Sequence, residues 1–269
     1  NTHAPPTQQI FIGVGINYAS QPQNYLPTCR ADIRRMHSWW IQSVASKNSK
    51  TFILTDESVG PSSPTLGNWR SLLNQVRSLV RQQNELGGHT EIVLAYSGHG
   101  FFQKTKDSME RDGQAECLVF LDGFYWDYQM AQEFLIHLPA SVTIFATFDS
   151  CHSGTVMNLP RSWQPNTRSC TVENPKMEGM AAKIWMISGC QDQQTSSAGN
   201  GSSSLSVLTQ HLSTLLNPSK RYTSIVQMYD ALLASLKSRG EPQTPMLSVS
   251  QSLLVSTPLF PSPSLAPLL

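Results

Sequence analysis

The stretch Val142 to Gly154, VTIFATFDSCHSG, constrains this chain more than any other. Val142 to Phe148 are apolar or Thr and carry no charge, the composition of a strand buried on both faces of a parallel sheet. The run passes directly into Asp149-Ser150-Cys151-His152-Ser153-Gly154. An acid, a thiol and small residues at the end of a core strand lie at the carboxyl edge of a sheet, where open α/β sheets bind ligands and do chemistry. A second run, Thr90 to Tyr96, ends in Ser97-Gly98-His99-Gly100. One strand end thus offers a Cys and another a His.

The remaining chain supplies the sheet around these two strands. Further strands are expected at Gln9–Ile16, Lys50–Thr55, Cys117–Leu121, Lys183–Ser188 and Met246–Val249. Helices are expected at about 29–45, with Thr28 as cap and Ile33, Met36, Trp40 and Val44 at helical spacing, and at 66–83, 127–138, 205–216 and 224–239. Strands alternating with helices predict an α/β fold, a mostly parallel central sheet with helices on both faces. Residues 101–116 are polar and charged and read as an insertion or mobile loop. Residues 158–180 hold three prolines and several basic residues, and read as an irregular linker. The expected division is a flexible start (1–9), a larger part (10–157), a linker (158–181), a smaller part (182–257) and a Pro/Ser-rich tail (258–269).

Composition narrows the function. A chain of 269 residues buries about three quarters of its unfolded surface, so neither disulfides nor a metal is needed for stability. Net charge is +1 with 14% charged residues, which predicts neither nucleic-acid nor membrane-surface binding. No apolar run approaches the roughly 20 residues that span a bilayer. The start, NTHAPPTQQ, has no basic and apolar leader pattern and no Met, so a processed product or a piece of a larger protein with additional domains is expected. Five cysteines at irregular spacing, without CxxC, argue against a disulfide framework and a structural zinc, and for reduced thiols in an intracellular, cytoplasmic setting.

Free cysteines are often inert core residues. Around Cys151, however, Asp149, Ser150, His152 and Ser153 are not all cheaply buried. His99 stands between two glycines, which let the backbone approach a ligand. A thiol near its reference pKa of about 8.5 is only slightly ionised at neutral pH, and an imidazole can activate it and later protonate a leaving amine. His152 is the rival base by adjacency, but neighbours on an extended segment point opposite ways, which favours His99. The N–H groups of Gly100 and Cys151 are the candidate oxyanion hole.

The motifs YSGHG (96–100) and DSCHSG (149–154) together resemble the metacaspases, caspase-like cysteine peptidases. Gly13–Tyr18, Leu26–Asp32, Ile187–Ser196 and Pro245–Leu247 are similar to further segments of that family, in the same order, so the resemblance spans about 10–255. It implies a caspase-like sandwich, His99 as base and Cys151 as nucleophile. It also implies an S1 pocket for Arg or Lys at Cys29, Asp32, Ser97 and Asp149. Carboxylates at a pocket floor attract a basic side chain, with Arg able to pair in bidentate fashion. The expected activity is an endopeptidase acting on protein or peptide substrates with a basic P1 residue.

Many metacaspases use calcium, which favours several carboxylates. Here Asp107, Glu110, Asp112 and Glu116 remain, the family's Asp-Asp pair becomes Asp127-Tyr128, and Asn158 stands where an acid would follow the Cys. Asp112 and Asp127 are the candidate ligands, the site looks degraded, and no cofactor is required by the sequence. Arg168 and Lys176 in the linker are candidate self-processing sites. The alternatives are a catalytically silent caspase-like scaffold or regulator, and a Cys-dependent transpeptidase or ligase on the same fold.

Overall fold

The computed structural model describes residues 7–106, 113–151, 154–190, 205–217, 224–252 and 255–259. Its centre is an eight-stranded sheet. Five parallel strands, β1 (Gln8–Gly15), β2 (Ser49–Thr55), β3 (Thr90–Ser97), β7 (Val142–Ser150) and β10 (Lys183–Cys190), run in the order β2-β1-β3-β7-β10. β11 (Met246–Val249) then pairs antiparallel to β10, and the hairpin β8 (Arg161–Gln164) and β9 (Ser169–Val172) completes the edge.

Every residue of β1, β3 and β7 is buried, as mostly apolar runs allow when both faces are covered. Alternation sorts their side chains. Ile10, Ile12, Val14, Ile92, Leu94 and Ile144 face one core. There α2 (Leu66–Glu85) packs Trp69, Leu73, Val76 and Val80, and α3 (Asp127–Glu133) packs Met130. Phe11, Val93, Ala95, Phe145 and Ile187 face the other core. That side is covered by Ile33, Met36 and Trp40 of α1 (Cys29–Ser43), Leu208 and Leu212 of α4 (Val207–Leu215), and Met228 and Leu232 of α5 (Ile225–Ser238). The architecture is the expected α/β layer arrangement with helices on both faces.

Four details differ from the sequence reading. Thr28 sits before α1 but makes no side-chain cap; Asn17 Oδ1 instead accepts the Arg30 N–H at 2.9 Å. A loop side chain from β1 thus does the work of the local cap. The 101–116 region is strand at both ends. β4 (Gly100–Lys104), β5 (Gln114–Phe120) and β6 (Gly123–Trp126) form a separate antiparallel sheet whose Leu118, Phe120 and Tyr125 pack into the α2-side core. Residues read as an irregular linker include the β8–β9 hairpin, whose Trp163 is buried in the α1-side core. Strands of four residues are too short for a period-2 signal to stand out. The helix expected over 127–138 stops at Glu133 and continues as a 3-10 turn, Leu135–His137. Among the described residues no helix is long and apolar enough to cross a membrane.

Candidate active site

Strand register builds the site. Ser97 of β3 pairs with Asp149 of β7, and Asp149 with Gly189 of β10; on the other side Ser97 pairs with Gly15 of β1. These four residues form one row across the carboxyl edge. His99 and Cys151 each lie two residues beyond the Ser97/Asp149 pair, so neighbouring strands, about 4.8 Å apart, bring their backbones close together. Gly100 confirms the closeness: a Cβ there would collide with the Cys151 carbonyl oxygen and come 3.3 Å from Ser150 Oγ. At Gly15 a Cβ would meet the Cys29 carbonyl oxygen at 2.7 Å, so only glycine lets α1 begin this close to the row.

His99 is held by main chain and side chain. Its Nε2 lies 2.7 Å from the Asn24 carbonyl oxygen. A carbonyl only accepts, so Nε2 carries the proton and Nδ1 keeps the free lone pair. The Tyr18 hydroxyl accepts the His99 N–H at 2.9 Å and donates to the Val119 carbonyl at 2.7 Å. The Tyr96 hydroxyl donates to the His99 carbonyl at 2.7 Å. The Tyr18 ring centroid lies 4.7 Å from the imidazole. Burial pushes both phenols well above their ordinary pKa, so they remain donors. Tyr18 has φ 56, a left-handed conformation that costs a side-chain-bearing residue about 1–3 kcal/mol and is typical of functional sites.

Asn24 is positioned from a distance. It ends the 3-10 turn Pro22–Asn24, and the Leu26 N–H closes its loop onto the Asn17 carbonyl at 2.9 Å. Asp56, just after β2, accepts the Asn17 and Ala19 N–H groups at 2.9 and 3.0 Å and pairs with Arg30 at 2.8 Å. Burial would raise the Asp56 carboxyl, but the Arg30 guanidinium and the two N–H groups outweigh it and hold the group below its ordinary value.

The pocket residues predicted from sequence do come together. Asp32, in the first turn of α1, is 1% exposed and Asp149 is 4% exposed. Ser97 Oγ donates to Asp32 at 2.7 Å, and the Ser206 N–H donates to its other oxygen at 2.8 Å. Asp149 accepts the hydroxyls of Ser206 and, at 3.3 Å, Thr209. Two helix N-termini, of α1 and α4, therefore converge on two carboxylates, as the helix dipole favours. Burial, and then repulsion from Asp149, lift the Asp32 pKa to about 8, so near neutrality the pair holds a proton.

The cysteines separate sharply. Burial drives the Cys29 thiol far up, despite the Ser97 hydroxyl beside it. Burial likewise pushes Cys117 up to about 12. Cys151 is half-exposed at the site's mouth. Cys29 is therefore a buried, neutral thiol beside Ser97 and Asp32. His152, the rival base, lies outside the described residues.

Asp112 also lies outside the described residues. Asp127 is fully buried, and its two oxygens accept the Glu116 and Tyr128 N–H groups at 3.0 and 2.7 Å. Glu116 Oε2 accepts the Thr155 N–H at 2.9 Å. Both carboxylates hold backbone donors, and Asp107 and Glu110 lie outside the described residues with Asp112. Among the described residues no group of three or more His, Cys, Asp or Glu could hold a metal. Arg168 occupies the β8–β9 turn with φ 53, paired with Asp230 at 2.7 Å and lying over the Trp163 ring. Lys176 is exposed in the turn Pro175–Met177.

Cys151 and His99 thus follow adjoining strands of a mixed sheet, beside the buried acids Asp32 and Asp149. The fold is shared with a crystal structure of a Geobacter sulfurreducens protein, at TM-score 0.60 and 21% identity, covering 90% of this chain and 93% of that one. The metacaspase, peptidase C14 domain matches residues 11–160, and the chain belongs to the metacaspase family. Metacaspase-1B of Neurospora crassa is 35% identical over 152 residues, 55% of this chain and 34% of that protein. Metacaspase-5 of Trypanosoma cruzi is 28% identical over 260 residues, 88% of this chain and 56% of that protein. The chain thus spans about a third of the fungal relative's length and just over half of the trypanosomal one's.

Sequence reasoning missed Asn24, Tyr18, Asp56 and Ser206. A carbonyl that any residue could supply leaves no signature. Ser206 follows a Gly/Ser-rich run from which no single serine stands out.

Proposed function

We propose that this chain is a cysteine endopeptidase that cleaves after Arg or Lys. The observation that carries the reading is the anchored imidazole: His99 Nε2 on the Asn24 carbonyl, with Gly100 against the Cys151 backbone. Nδ1 takes the Cys151 proton, and the thiolate attacks the scissile carbonyl carbon. The N–H groups of Gly100 and Cys151 stabilise the resulting oxyanion. His99 then gives its proton to the leaving nitrogen, and the C–N bond breaks to leave a thioester. Water, deprotonated by His99, hydrolyses the thioester and restores the thiol.

The P1 side chain enters between Asp32 and Asp149. Its cation replaces the Ser206 donors and drives the shared proton off the pair. This links basic specificity to pH. Arg168 and Lys176 are both candidates for self-processing, each on an exposed turn.

The test is turnover of fluorogenic peptides with Arg, Lys or Asp at P1, by wild type and Cys151→Ala, with calcium and with chelator. Arg and Lys cleavage that disappears in Cys151→Ala supports the proposal. Absence of Cys151-dependent turnover overturns it in favour of a silent scaffold. Products joined to an added amine would identify a transpeptidase. An Asp preference would overturn the pocket assignment alone.

A further inference from the structure

Beside His99, the small sheet turns a row of aromatic rings to solvent. Gly100 pairs with Leu118 and Leu118 with Tyr125, and Leu118 and Tyr125 are buried in the α2-side core. Side chains alternate along a strand, so Phe101, and across it Trp126, fall on the opposite side. Phe124 falls there too, through its pairing with Val119. His99 belongs to this outer side as well, because the Val119 N–H bonds to the His99 carbonyl and extends the ladder by one residue. Phe101 and Phe124 are each 46% exposed. Their centroids are 5.9 Å apart, Phe124 is 5.9 Å from Trp126, and Trp126 stacks on Tyr128 at an interplanar angle of 5°.

Position relative to the reacting atoms indicates what this shelf holds. The acid pocket lies toward α1 and α4, while the small sheet packs on the α2 side, with the carboxyl edge between them. A peptide whose P1 side chain descends among Asp32 and Asp149 presents its leaving nitrogen to His99, the group that must protonate it. The residues after the cleaved bond then run past His99 onto Phe101. From there the rings extend by two steps of 5.9 Å, a length of about three to four extended residues. Exposed, mutually stacked aromatics that share a sheet face with the reacting base are binding surface for apolar side chains.

Building on the peptidase reading, we propose that Phe101, Phe124 and Trp126 form a subsite selecting substrates with aromatic or large aliphatic residues in the first four positions after the cleaved bond. Two internally quenched peptides test it. They share one unprimed sequence with Arg at P1 and carry Phe-Phe or Ser-Ser at the second and third primed positions. Wild type should show at least a tenfold higher kcat/KM for the Phe-Phe peptide, mostly through KM. Phe124→Ser/Trp126→Ser should bring that ratio toward one, and Phe101→Ser should lower it in part. Equal cleavage of both peptides by wild type overturns this inference and leaves the peptidase reading standing. So does a ratio that persists in both variants. Failure to cleave either peptide removes both together.

Discussion

The pocket around Asp32 and Asp149 and the shelf around Phe101 and Trp126 flank the same two reacting side chains, yet they store binding energy differently. In the pocket every named carboxylate oxygen accepts a hydrogen bond from Ser97, Ser206 or Thr209, under two helix N-termini. A ligand there must exchange one set of hydrogen bonds for another, and a buried charge left without a partner is severely penalised. That makes the pocket discriminating. The shelf leaves apolar surface open to water, and its gain scales with the area covered. Such a surface tolerates many residues and ranks them by size. On the proposed reading, one side of the cleaved bond is recognised by charge and the other by bulk.

Replacing pocket groups should have the largest effect. Asp149→Ala removes one partner of a buried charge arrangement, which costs about 2–5 kcal/mol. Arg-P1 kcat/KM should fall at least thirtyfold, while the ratio of Phe-Phe to Ser-Ser primed peptides stays as in wild type. A change in that ratio would show that the two regions are not independent.

Gly100 lies at the seam between them. Gly100→Ala forces its methyl into the Cys151 carbonyl, displacing an oxyanion donor whose loss typically costs 10²–10³ in kcat. Rates should drop by about that factor on both peptides alike, in steady-state assays on protein shown to be folded by circular dichroism.

Asp56→Asn weakens the Arg30 pair and loosens the loop that carries Asn24. A misplaced base costs rate rather than affinity, so kcat should fall about tenfold with KM little changed. An equal rise in KM would instead place Asp56 in substrate binding.

The pH response is smaller and separates the regions again. Asp32 holds a proton up to about pH 8 in the folded state, whereas an unfolded Asp titrates near 4. Its stabilising share is complete below the unfolded value. It is lost as pH rises toward 8, where folding requires a second buried charge, and is constant above. Thermal melts of wild type should therefore decline relative to Asp32→Asn between about pH 5 and 8. Over the same window KM for Arg-P1 peptides should fall, by up to about tenfold per pH unit, because the cation needs the ionised pair. The Phe-Phe to Ser-Ser ratio should not follow pH, since the shelf residues do not titrate. Identical melting profiles for wild type and Asp32→Asn would refute the shared proton.

The parts legible in sequence are those where several neighbouring residues had to agree. The buried parallel strands were plain because every position from Val142 to Phe148 shuns charge. The expectation that His99 and Cys151 work together came from their places just past two such strands. Strands β4 and β6 of the small sheet and the β8–β9 hairpin were obscured because four or five residues are too few to show alternation. Thr28 looked like a cap by type and place, but the cap is made by Asn17 on the Arg30 N–H, a contact across 13 positions that local spacing does not encode.

The Asn24 carbonyl has a consequence for how this protein varies. It is the acceptor that fixes which imidazole nitrogen carries the proton, and it belongs to the main chain. No exchange of the side chain at 24 deletes that oxygen. Scanning each position with alanine would pass over the acceptor in silence, while Asp56, Arg30 and Asn17, far along the chain, would register as sensitive. Related chains are accordingly free to differ at 24 itself, and constraint should fall on whatever fixes the path of the loop.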